Sequence, residues 1–154
     1  MVTLDVNLKR GAYSQYSGFA FNSMVKFNGK YLGANSAGLF AIEGKTDNGA
    51  DIDAEMELPT TDFGLRQHKR VRFVDVGYET DGSVLFNFVF DQDELAGEDY
   101  EVEAHKTGQQ RGRFSVKHTQ RGRYVTVTVK NVNGADFSLD HISILPVILH
   151  PGRR

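Results

Sequence analysis

The sequence predicts an all-β fold, an antiparallel β-sandwich of jelly-roll type with a smaller β-element ahead of it. Three observations carry that expectation. The bulky residues are the kinds that suit pleated surfaces: eleven Phe and six Tyr among 154 residues, with only three Pro and no Trp. Apolar and polar side chains alternate with period two through several segments, the mark of a half-buried strand. Three Asn-Gly or Asp-Gly pairs, at 28–29, 81–82 and 133–134, stand between apolar runs, where a type I′ turn needs positive φ at both central positions.

Taken in chain order, the first pair joins residues 23–27 to 30–32. Residues 38–43 and 51–58 read as strands around the "KTDNGAD" turn. Asp81-Gly82 joins residues 71–79 to 84–90, where Val84, Phe86, Phe88 and Phe90 share one face. In residues 124–130, Val125, Val127 and Val129 oppose Tyr124, Thr126 and Thr128, and Asn133-Gly134 leads on to residues 137–149. No helix of three turns is expected, only a single turn within residues 91–97, and the strands total about nine or ten. Phe86, Phe88, Phe114, Val127 and Phe137 are the expected core. Strands are short and Gly-rich before "LPTTDFG" (58–64) and longer after it. The expected division is therefore a small N-terminal element or docking arm, 1–58, and a sandwich domain, 59–154.

The segment "RGRFSVKHTQRGRYVTV" (111–127) repeats Arg-Gly-Arg-aromatic after ten residues. If residues 113–118 and 123–129 are hairpin partners, six residues per strand place the two arginine pairs roughly 20 Å apart. They then serve as strand-entry devices, with Gly112 and Gly122 free to take positive φ.

A formal net charge of −2 argues against general nucleic-acid binding, which needs an excess of Lys and Arg. No apolar run approaches the roughly 20 residues that span a bilayer, and the N-terminus lacks the basic-then-apolar order of a signal peptide. The expectation is no membrane association and no export. With no cysteine there is no thiolate chemistry. His68, His105, His118, His141 and His150 lack zinc-like spacing. The acidic runs at 91–101 and 47–53 do not match a calcium loop, and Asp140-His141 has no Gly-x-Ser-x-Gly elbow to work with. Asp91, Asp93 and Glu94 could supply paired carboxylates, but Trp, common in sugar clefts, is missing. No catalytic, metal or cofactor site is expected, and the protein reads as a non-enzyme.

The run at 142–149, "ISILPVIL", is apolar on both faces. Pro146 cannot donate to a ladder, so the strand belongs at a sheet edge or a bulge. Ile144, Leu145, Val147 and Leu149 are the candidate interface, with Leu145, Val147 and Leu149 turned towards a partner by alternation. An alternative role is glycan binding on an aromatic platform drawn from Tyr13, Tyr16, Phe19 and Tyr31.

Three stretches, "GKYLGANSAGLFAIEG", "TDNGADIDAEMELPTTDFGLRQHKRVRFVDVGYETDGSV" and "RGRYVTVTVKNVNGADFSLDHISILPVIL", resemble the structural, tail-associated virion proteins of tailed bacteriophages. The resemblance spans roughly residues 19–154. Its most specific part is the closing segment, at Gly122, Arg123, Tyr124, Asn131, Gly134, Ala135, Asp136, Phe137, Leu139, Asp140, Leu145, Pro146 and Val147. Val125 departs from it, since the family often has Trp there. The resemblance implies a virion component made in the host cytoplasm, placed in the tail, baseplate or head-tail connection. It also implies partnership with other virion structural proteins and with its own copies in a symmetric ring. Arg121 and Arg123 then face acidic loops of a neighbour.

Overall fold

The computed structural model describes residues 2–47, 49–93 and 97–149. Those residues contain no helix. The expected single turn at 91–97 falls partly outside them.

The chain forms two compact units, Met1–Gly44 and Lys45–Arg154. The division therefore lies ahead of the expected one at residue 58. The reason is a short strand, Glu55–Glu57, that pairs inside the second unit, with Thr128, Val129 and Lys130 opposite it. Leu58 follows it onto the core.

In the first unit β1 (Val2–Asn7) and β2 (Ala12–Ser17) form one antiparallel pair, and β3 (Ser23–Phe27), β4 (Lys30–Asn35) and β5 (Gly38–Ala41) form a three-stranded sheet. Asn28 and Gly29, at φ 47° and 82°, close a two-residue turn with Phe27 opposite Lys30, as the sequence predicts. Gly33 is buried under the ring of Phe21, where a Cβ would lie 2.6 Å from the ring.

The second unit is a sandwich preceded by a minimal pair, β6 (Thr46–Asp47) and β7 (Ala50–Asp51). Its strands are β8 (Glu55–Glu57), β9 (Lys69–Thr80), β10 (Ser83–Phe90), β11 (Glu98–Glu103), β12 (Gln110–Ser115), β13 (Arg121–Gly122), β14 (Val125–Val132) and β15 (Phe137–Ile148). The first sheet runs β11-β10-β14-β8. In the second, β9 pairs β12 and β13 as well as β15. All pairings are antiparallel.

The period-two faces meet between these sheets. Val84, Phe86, Phe88 and Phe90 of β10 and Val125, Val127 and Val129 of β14 are buried against Val71, Val74, Val76 and Tyr78 of β9. Phe86, Phe88 and Val127 sit as expected. Phe114 and Phe137 are half-buried at the margin, packed on the core. Phe114 stacks on Tyr100 with ring centroids 5.3 Å apart.

Two expected hairpins are sheet-to-sheet links instead. β9 and β10, and likewise β14 and β15, lie in opposite sheets, because each strand has one largely apolar face and the two faces cover each other across the core. Neither Asp81 nor Gly82 takes positive φ, whereas Asn133 and Gly134 do, at 52° and 68°. The two links pack together: Asp136 N donates to Asp81 Oδ1 at 2.9 Å, and a Cβ on Gly82 would lie 2.8 Å from Ala135 Cβ.

The Arg-Gly-Arg repeat is also rearranged. Its two copies do not begin hairpin partners, since β12 pairs β9 while β14 pairs β10. Both copies lie along β9, with Gly112 opposite Val76 and Gly122 opposite Lys69. Positive φ is not the reason for either glycine. Each is a place of close approach: a Cβ on Gly112 would lie 3.0 Å from Val102, and one on Gly122 would lie 2.7 Å from the Asp91 carboxylate.

Candidate interaction surface

β15 pairs β9 alone among the described residues, so it is an edge strand. The register shifts between Ile144 and Pro146, where β9 carries one residue more than β15 across the step from Val74 to Val71. A proline inside a twelve-residue strand needs such an irregularity or an edge, and here it has both. The bulge turns Leu145 out to 43% exposure. Ile144, one of the candidate interface residues, instead packs on the core. Leu149 is half-buried at the end of the strand, and its N–H donates to His68 O at 2.9 Å.

Three strands then align one outward-facing row. Arg121 of β13 lies opposite Arg70 of β9, and Arg70 lies opposite Val147 of β15. Two like charges directly opposite destabilise a sheet unless something compensates them. None of Arg66, Arg70, Arg72, Arg111, Arg121 and Arg123 has an ion-pair partner among the described residues. The Nε atoms of Arg70 and Arg123 are buried without a hydrogen-bond partner. Arg123 lies over the Tyr124 ring, 5.0 Å from its centroid.

Fixed backbone contacts hold Arg123 in place. Lys69, only 1% exposed, donates from Nζ to Leu65 O at 2.9 Å and Arg123 O at 2.5 Å. A buried ammonium needs such acceptors. Asp91 Oδ1 accepts from Arg123 N at 2.8 Å and Tyr124 N at 2.9 Å.

Further along the same face Arg113 grips Asp75 in a bidentate pair, Nε to Oδ1 at 2.7 Å and Nη2 to Oδ2 at 3.0 Å. This hydrogen bonding, aided by the charges of Arg113, Arg111 and His141, holds the Asp75 carboxyl below its ordinary pKa. His141 covers Gly77, where a Cβ would lie 2.5 Å from Nδ1. Arg70 and Lys69 help to build this surface and were not singled out from the sequence. Their signal was the "KRVR" run, whose alternation extends the β9 pattern towards the N-terminus.

The aromatic platform is only partly assembled. Tyr16 and Phe19 are in ring contact at 5.5 Å, and the chain of rings continues through Phe21, 5.0 Å from Phe19, to Phe40. Tyr13, at 75% exposure, and Tyr31, beneath Lys26 Nζ at 4.9 Å, make no ring contact with them. The described residues contain no group of three or more His, Asp or Glu side chains arranged to hold a metal ion.

No family model, curated protein or solved structure matches this chain.

Proposed function

We propose that this protein is a non-enzymatic structural component of a tailed phage particle, placed in the tail, baseplate or head-tail connection and acting by subunit assembly. The observation that carries the reading is the outward row Arg121, Arg70 and Val147 beside exposed Leu145. Apolar side chains ringed by guanidinium groups that lack ion-pair partners among the described residues are what a polar-rimmed protein interface presents before it is covered. The resemblance of the closing segment to tail-associated virion proteins points the same way, since Arg123, Leu145, Pro146 and Val147 lie in that segment.

The test is whether the chain is built into particles. Particles purified by density gradient from a culture producing the chain should contain it by mass spectrometry at a fixed stoichiometry. A chain that stays in the soluble fraction while particles form without it overturns the reading.

A second reading, a carbohydrate-binding module, is favoured by the continuous contact of Tyr16, Phe19, Phe21 and Phe40. Exposed Tyr16, backed by half-buried Phe19, Phe21 and Phe40, gives a sugar ring a stacking surface. Reproducible binding of the full chain to one sugar class on a glycan array, lost on Tyr16→Ala, would support it.

A further inference from the structure

The two outer faces of the sandwich are opposite in charge and alike in layout. On the second sheet the outward side carries Arg70, Arg72, Arg111, Arg113 and Arg121 against Asp75, Glu79 and Asp140, with Leu145 and Val147 as its apolar element. On the first sheet β8 contributes Glu55 and Glu57, and β11 contributes Asp99, Glu101 and Glu103, against Lys130 alone. Lys130 is already held by Glu55 at 3.1 Å.

Between those acidic margins runs an open groove of about 840 Å³ whose floor includes half-buried Leu85 and Val89. Asn87, bonded to Asp99 at 2.5 Å, lies between these two apolar residues along β10. One face thus offers an apolar pair bordered by arginines, and the other offers an apolar pair bordered by carboxylates.

We propose that copies of this chain dock head to tail, the arginine face of one seated in the acidic groove of the next. This rests on the assembly reading above and names its surfaces. The occupant is a second copy because the chain itself supplies the complement: the carboxylates of the groove meet the unpartnered guanidinium groups, and Leu145 and Val147 cover Leu85 and Val89. A contact between two different faces is heterologous, so repetition closes a ring where the rotation allows and otherwise extends a filament.

The experiment uses the full chain and four exposed positions. One variant carries Arg72→Glu with Arg121→Glu, and the other carries Glu57→Arg with Glu101→Arg. Sedimentation velocity at low salt should show oligomers of the unaltered chain that dissociate as salt screens the contact. Each variant alone should associate roughly tenfold or more weakly, because its two faces now repel. An equimolar mixture should recover association, since each reversed face then meets its complement on the other variant. Circular dichroism verifies that both variants are folded. If either proves unfolded, single reversals at Arg121 and Glu101 are mixed in the same way.

Oligomers that ignore both reversals, or a mixture that fails to recover, overturn the head-to-tail contact while leaving particle incorporation intact. A chain that stays monomeric at low salt overturns the contact as well. Absence from particles overturns the underlying reading, and is measured separately.

Discussion

Asp91 holds Arg123 by its backbone: Asp91 Oδ1 accepts the Arg123 N–H at 2.8 Å, across a position that only glycine can fill. The carboxylate lies over Gly122, within 2.7 Å of where a Cβ would be. A Gly122→Ala change must displace either β13 or Asp91, at a cost of about 1–3 kcal/mol typical of overpacking. In an Asp91→Ala background the obstacle is gone, and the same change should cost little. A double-mutant cycle by denaturant unfolding measures this coupling. Additive costs would mean that the two residues are independent.

Phe88 is fully buried and meets Tyr100 and Phe114 edge-on at 5.8 and 6.1 Å. Truncating it to Ala leaves a cavity between two sheets that cannot collapse without breaking β10 pairings on both sides. The expected loss is about 3–5 kcal/mol. Val89, one residue on, faces outward and half-buried; Val89→Ala should cost far less. Equal losses at both positions would contradict the strand phase.

That phase was legible in the sequence because alternation reports directly on burial, and β10 and β14 sit in the sandwich as their patterns require. What alternation does not report is which strand lies beside which. Asp81-Gly82 and Asn133-Gly134 look like hairpin turns, yet both strand pairs they join are split between sheets. The same limit hid the row Arg121, Arg70 and Val147, whose members are 51 and 77 positions from Arg70 and meet only through register. Edge character at Pro146 was readable, since a missing N–H is a local fact.

Asp75 provides the pH dependence. Its hydrogen bonds from Arg113, and then the positive charges of Arg113, Arg111 and His141, lower its folded pKa below the ordinary carboxylate value of about 3.9. A lowered folded pKa contributes stability that is present above that ordinary value and is lost as pH falls through the folded one. Asp75→Asn should therefore be less stable than the unaltered chain at pH 7, and the difference should shrink steadily below about pH 4. Urea midpoints at several pH values measure this. A difference that stays constant into the acid range would exclude Asp75 as its source.

Leu145 and Val147 decide whether the β15 edge is a docking surface or simply the rim of the core. Leu145 is turned out by the bulge, and Val147 faces outward beside Arg70, while Ile142 and Ile144 pack inward. Replacing Leu145 and Val147 together by Ser removes apolar surface from the outer face and leaves the inner one untouched. Thermal melting should shift only slightly. Association between copies should weaken by about 1–2 kcal/mol per truncated residue, and more if the residues are central to the contact. A control change, Ile144→Ser, should do the reverse: it places a hydroxyl against the core and unfolds the sandwich before association can be judged. Sedimentation and melting, run on both variants, separate these outcomes. If Leu145→Ser with Val147→Ser unfolds the chain while any folded fraction associates normally, both side chains belong to the core and this face docks nothing.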